Sequence, residues 1–477
     1  MKPNLQYLFA LLILNYSFFA QRDKEEADPM FTSAYTKYEN KDYSGSYLDY
    51  SSYLMKKPKD AAALYNRGLC AYEMKDYQDG ITNFNKSISL GRRNADAFYS
   101  RGLCHYNLSN FNVAIADFDT AISLRAGYTK ALTYKGAALN ELKRYKEALI
   151  VLDQAVNSDS NYDNSYYFRS ITKYNLKDFE GGLADCNRSL ALKNYYETYF
   201  WRGLHYHNLK RHKESLADYD TVIAHDPKYA KAYYNRAIVY YDLQNYTKSL
   251  EDNNKSIEID PTKPEAYYNR ALTKHQLGKY KDAEPDFNAA IDLKLNQSKH
   301  FLWRGINYYF LKKYSEAMND LNTAIQKDNQ SEYGYYYRAL VKYTYEDDKG
   351  VIEDCNLALA INKSHDTYYQ RGISKYNLKD YTGAIEDFNE SLKLKPNYKL
   401  ATLERGIAYY QIEKDELALA DLNKAIEIDG KSSRAYYFRG KLKKYMNDIP
   451  GSCMDLKQAQ SLGHDGATEE LAKNACK

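Results

Sequence analysis

Proline is scarce in this 477-residue chain, with 9 in all, and tryptophan is scarcer, with 2. So little proline excludes a collagenous or low-complexity chain, and an aromatic content of 15% argues against disorder. Charge of one sign is missing as well. The 67 basic residues nearly balance 63 acidic ones, too evenly for a protein held mainly by nucleic-acid phosphates. A mean hydropathy of −0.73 excludes a polytopic membrane protein. The chain has no glycine-rich phosphate loop, no His-Glu-x-x-His and no Cys-x-x-Cys. His205, His207 and His212 form the densest histidine group, but residues 205 and 207 point to different faces of a helix. Hence no catalytic, cofactor-binding or metal site is expected, and the chain is read as no enzyme. The excess lies elsewhere: 53 residues are tyrosine, about one in nine.

Residues 1–20, MKPNLQYLFALLILNYSFFA, read as a secretory signal peptide. Lys2 supplies the positive charge, Leu5 to Leu14 the apolar core and Ala20 the small residue before a cut. The segment is short for a membrane span and is interrupted by Asn15 and Ser17. The expectation is an exported protein, periplasmic or secreted, with an uncleaved signal anchor as the alternative. No other stretch could cross a bilayer. Residues 21–27 form a short linker.

Internal repeats decide the architecture. A basic residue followed by a small one recurs as Arg67-Gly68, Arg101-Gly102, Lys135-Gly136, Arg169-Ser170, Arg202-Gly203 and Arg236-Ala237. It continues as Arg270-Ala271, Arg304-Gly305, Arg338-Ala339, Arg371-Gly372, Arg405-Gly406 and Arg439-Gly440. The spacing is 34 residues, twice shortened to 33, and Ser33-Ala34 is a degenerate first copy. Thirteen units thus fill residues 28–463. Each reads as two helices, A around this anchor and B after a short turn, with apolar residues such as Phe111, Ile115, Phe118 and Ile122 at helical spacing. No segment alternates with period two, so no sheet is expected.

Three columns of small residues, one, thirteen and twenty after the anchor, let helix axes approach to the short end of about 8–10 Å. Val351 alone breaks the second. A bulky column seventeen after the anchor, including Phe84, Phe118, Leu152 and Phe388, should fill the space they create. This period and these columns resemble the tetratricopeptide repeat family. The resemblance implies an all-α, right-handed superhelical α-solenoid of helix-turn-helix repeats, with the A helices lining a concave groove. It also implies a scaffold for protein or peptide partners. One departure stands out, because the family's Leu before Gly is here Arg or Lys in twelve units. Its companion is an Asp sixteen residues later, as in Asp117, Asp185, Asp286 and Asp320. An Arg in a packing column needs an acceptor, so a ladder of Arg–Asp pairs is expected, within or between repeats. Lys135 faces Val151 in its own repeat and would turn to Asp117 of the preceding one.

Residues 464–477 read as a capping helix, which a stack of repeats needs. Of the 6 cysteines, Cys70 and Cys104 sit at equivalent points of adjacent A helices, too far apart for the roughly 7 Å a disulfide allows. Cys186 and Cys355 lie five units apart. Cys453 and Cys476 remain as a pair joining the last repeat to the cap. The Asn-x-Ser triplets at Asn85, Asn187, Asn254 and Asn389 fall at one helix B offset, which marks repeat pattern rather than glycosylation.

Tyrosines two before and five after the anchor share one helix face. They include Tyr99, Tyr106, Tyr167, Tyr174, Tyr234, Tyr241, Tyr268, Tyr309, Tyr336, Tyr343, Tyr369 and Tyr376. Polar residues such as Asn107, Asn208 and Gln411 follow six after it. Edged in this way, a tyrosine wall suits an extended protein or peptide ligand, with membership of a cell-envelope complex a further expectation. A glycan or cell-envelope polymer stacked on the rings is the alternative, and packing between A helices is the structural role the same rings can serve.

Overall fold

The computed structural model describes residues 28–473; the signal peptide, the linker and Cys476 lie outside them. The described residues form 27 α-helices and no strand. None of these helices is long and apolar enough to cross a membrane. The chain divides after Pro227 into two compact units. The first holds six helix pairs, from Pro29–Glu39 with Tyr43–Lys56 to Tyr196–Asn208 with His212–His225. The second holds seven, from Ala230–Asp242 with Tyr246–Ile259 to Ser433–Tyr445 with Ile449–Ser461, followed by the short helix Ala467–Lys473. Within each unit every helix packs on the one before and the one after it. Each unit is an α-solenoid of helix-turn-helix repeats, as expected.

Each turn has the same local cause. In all thirteen repeats the residue eight after the anchor sits at positive φ, between 58° and 70°. The next N–H donates five residues back, as Asn110 does to the His105 carbonyl at 2.8 Å, which closes helix A with a left-handed cap. Gly278 holds that position once; elsewhere a Lys, Ser, Gln, Glu or Asn accepts the conformation. Helix B then starts on a cap. Asp42, Asp178, Asp347, Asp380 and Asp448 each accept from a glycine N–H three residues on, at 2.9–3.0 Å.

The expected steric columns are present. A Cβ built on Gly102 would lie 2.7 Å from the Phe118 ring, one on Gly372 2.6 Å from Phe388, and one on Gly136 2.5 Å from Leu152. Thus the residue after the anchor is small because the bulky residue of its own helix B presses on it. Gly102→Val should cost about 1–3 kcal/mol through overpacking, read as a lower urea midpoint. A second complementarity joins neighbouring repeats. The small residue thirteen after one anchor faces the residue three after the next: Ser46 the Cys70 thiol at 3.2 Å, Gly80 the Cys104 sulfur, and Gly182 the His205 ring. In that register Val351 faces Ser374, so a large residue on one side is met by a small one on the other.

Candidate functional site

The anchor arginines form the ladder. In ten repeats the guanidinium grips its own Asp sixteen residues later, at 2.5–2.7 Å. Two parallel bonds are typical, as in Arg304 Nε to Asp320 Oδ2 at 2.6 Å and Nη2 to Oδ1 at 2.9 Å. The remaining nitrogen, Nη1, reaches back to helix B of the preceding repeat. It meets Asn85 from Arg101, Asn254 from Arg270, Asn288 from Arg304, Asn389 from Arg405 and Asn423 from Arg439, at 2.7–3.0 Å. Each arginine therefore ties two helices of its own repeat to a third. Three of the acceptors, Asn85, Asn254 and Asn389, are asparagines of the Asn-x-Ser triplets. Lys135 does not turn to Asp117, which Arg101 already holds; it pairs with Asp119 at 2.5 Å, the residue in the Asn column. In five repeats a lysine four after the anchor adds a second cation to the Asp, as Lys274 does to Asp286 at 2.7 Å. The degenerate first copy replaces the arginine by Ser33 and Lys37, both on Asp49 at 2.8 Å. Aromatic rings three before the anchor flank the guanidinium, such as Tyr199 at 4.9 Å from Arg202 and Tyr267 at 5.5 Å from Arg270.

The tyrosine face is more deeply packed than a binding wall would be. Tyr99, Tyr106 and Tyr268 are buried, so they do not line an open groove. Tyr99 packs against Phe118, Tyr128 and Tyr134, and Tyr106 against Phe111 and Tyr134. Tyr268 lies edge-on to His300 and Phe287. Tyr167, Tyr174, Tyr234, Tyr241, Tyr309, Tyr336, Tyr369 and Tyr376 are half-buried, and Tyr343 is exposed. The column five after the anchor has a specific task. Its ring meets the aromatic residue that opens helix B, as in Tyr72 with Tyr77, Tyr174 with Phe179, Tyr241 with Tyr246, Tyr309 with Tyr314 and Tyr376 with Tyr381, at 5.2–6.0 Å. Its phenol accepts from the amide of the next repeat: Asn208 to Tyr174 at 3.5 Å, Gln411 to Tyr376 at 3.2 Å. The polar edge and the rings thus brace each other. Burial pushes the Tyr65 phenol up to about 12 and holds those of Tyr99 and Tyr134 far above the ordinary value.

Exposed aromatic surface is concentrated instead in two consecutive repeats of the second unit. Among the described residues five aromatic side chains are exposed: Phe310, Tyr333, Tyr343, Tyr345 and Tyr445. Four of them fall between Phe310 and Tyr345, on A helices or their closing turn. Here the polar edge gives way, because Phe310 takes the place of the amide and stacks on Tyr280 at 4.8 Å. Sequence columns missed these rings, although Phe310 in a column held by polar residues in all other repeats but the last, which has Tyr445, was their visible sign.

Cys70, Cys104, Cys186 and Cys355 are buried free thiols, and burial pushes Cys70 up to about 11 and Cys186 and Cys355 to about 12. Cys453 is disulfide-bonded; its expected partner Cys476 is outside the described residues. No group of three His, Cys, Asp or Glu among the described residues is placed to hold a metal ion. His205 is fully buried, and His207 lies 5.7 Å from His212, ring to ring.

Models of the tetratricopeptide repeat match residues 65–129, 99–163, 230–263, 253–284 and 365–398. Hsc70-interacting proteins 1 and 2 of Drosophila melanogaster are each 29% identical over 82 residues, 17% of this chain. The chain spans 22% of the length of these curated relatives. Among solved structures, the APC/C hetero-tetramer Cut9-Hcn1 aligns over 89% of this chain and 97% of that one, at 14% identity and a TM-score of 0.50. YrrB, described as a TPR protein with an unusual peptide-binding site, aligns over 38% of this chain and 95% of its own, at 24% identity and a TM-score of 0.33. Segments of both units thus match tetratricopeptide repeat models, and the fold is similar to that of a known helical-repeat structure over 89% of this chain.

Proposed function

We propose that the chain is an exported, non-enzymatic scaffold that binds a protein or peptide partner on the face formed by its A helices. The observation that carries this reading is the set of four exposed aromatic side chains, Phe310, Tyr333, Tyr343 and Tyr345, in two consecutive repeats. Large exposed rings with polar tips are what protein interfaces use as anchors. The signal-like residues 1–20 support export, and such a leader would deliver the scaffold to the cell envelope or beyond. The solved relative YrrB carries a peptide-binding site on the same kind of repeat. The test is a pull-down from envelope extract with the chain lacking residues 1–20. A defined protein should be recovered, and Tyr333→Ser with Tyr345→Ser should reduce its recovery at least tenfold while leaving the helical spectrum intact. Retention on polysaccharide alone, with no protein recovered, would overturn the reading in favour of a glycan ligand.

A further inference from the structure

A small cavity of about 50 Å³ opens beside the A helices Ala230–Asp242 and Pro264–Gln276 of the second unit. Ala237, Ile238, Tyr241, Ser249, Asn269, Leu272 and Thr273 line it. It exists because two columns change character here. The position before the anchor carries a ring in three other repeats of this unit, Trp303, Tyr337 and Phe438, and the longer Gln370 and Glu404 in two more, but Asn235 and Asn269 here. The bulky column carries Asn253, fully buried, where neighbouring repeats place Phe287 and Leu321.

The polar groups around the cavity can be accounted for one by one. The Ser249 and Thr273 hydroxyls meet at 3.1 Å, and Thr273 also donates to the Asn269 carbonyl at 2.8 Å. Asn253 donates to the Ser249 carbonyl at 2.9 Å. Left over are Asn269 Nδ2, a donor on the lining residue, and Asn253 Oδ1 just behind Ser249; both are buried and neither has a hydrogen-bond partner. Such groups are costly to bury unmatched, about 1–3 kcal/mol each. No charged side chain lines the cavity, so a carboxylate or ammonium group would lose its hydration there without compensation. The apolar remainder, Ala237, Ile238 and Leu272, sets a size limit below that of a ring.

From this geometry we infer that the cavity is a specificity pocket for one small, neutral, hydrogen-bond-accepting side chain of the partner, a hydroxyl or carboxamide from Ser, Thr or Asn. Asn269 Nδ2 donates to that group, and Tyr241 flanks it. This rests on the reading that the A-helix face binds a polypeptide.

The probe is a display library of random linear peptides, panned on the chain lacking residues 1–20. Selected peptides should share Ser, Thr or Asn at one position. They should bind at least tenfold more weakly to Asn269→Trp, which fills the cavity with the ring found at Trp303, and to Asn269→Leu, which removes the donor. Both variants should keep the parent thermal midpoint within a few degrees. Peptides that bind these variants as tightly as the parent, or that share a charged or aromatic residue instead, would overturn the pocket while leaving the groove intact. A library that yields no binder would overturn the groove reading itself.

Discussion

Arg304→Ala should lower the stability of the second unit by about 3–5 kcal/mol, the usual cost of leaving one member of a buried ion pair alone. Asp320 is only 9% exposed, and among the described residues the guanidinium of Arg304 is its sole cation. The same change also removes the 3.0 Å bond from Arg304 to Asn288, which keeps only the Tyr308 hydroxyl at 3.3 Å. Arg270→Ala provides the internal control. There Lys274 also bonds the Asp, at 2.7 Å, so the carboxylate keeps a counter-charge and the loss should be smaller by about half. Replacing both partners, as in Arg304→Met with Asp320→Leu, should be close to neutral, because neither charge is then left buried. Urea midpoints of the three variants check this; equal losses for Arg304→Ala and Arg270→Ala would contradict the ladder as described.

Acid should weaken the first unit through His205. The ring is fully buried against Tyr174 and Phe179, and neither nitrogen has a hydrogen-bond partner of normal geometry. Burial lowers its pKa to about 4. The unfolded chain takes up the proton near the ordinary value of about 6.5, whereas the folded chain resists it until about pH 4. The stability tied to the neutral ring is therefore present in full above pH 6.5 and is lost as pH falls through that window. Its size is roughly 3 kcal/mol between the two values. His205→Val, which copies the residue at the same column in Val239 and Val341, should remove this part of the pH dependence. A parent and variant whose urea midpoints fall in parallel between pH 7 and pH 4.5 would contradict it.

Much of the fold was legible because each repeat states the same steric requirement. Gly102 opposite Phe118 and Gly136 opposite Leu152 are readable as small and large columns before any coordinates are known. The Arg–Asp pairing was readable for the same reason, since an arginine in a packing column demands an acceptor. What the columns hid was the third partner. Asn, Asp or Ser stands eighteen after the anchor in every repeat but the last, where Lys457 occurs and no arginine follows. That position resembles a glycosylation triplet in four repeats, and pattern alone does not say that it faces the next anchor. The mistaken partner for Lys135 has this origin, as Asp119 rather than Asp117 occupies the column.

Ring depth was not legible for a different reason. Periodicity places Tyr99 and Tyr343 on equivalent faces, but their burial is decided by what the adjacent repeat supplies. Tyr134 covers Tyr99 and Tyr106, whereas Tyr343 is left exposed. The candidate site accordingly shrinks from twelve tyrosines to the rings around Phe310–Tyr345 and the pocket at Asn269. The rest of the tyrosine excess braces helix A to helix B and repeat to repeat.

Alkaline titration, followed by phenolate absorbance together with helical circular dichroism, tests that claim most directly. A buried phenol whose pKa is raised stabilises the fold fully below about pH 10 and loses that contribution as the pH climbs above it. A minority of the 53 tyrosines should ionise reversibly near pH 10, and the remainder should ionise together, at higher pH, as helix is lost. Reversible ionisation of most tyrosines near pH 10 with the helices intact would show that the rings are a free surface and would contradict it.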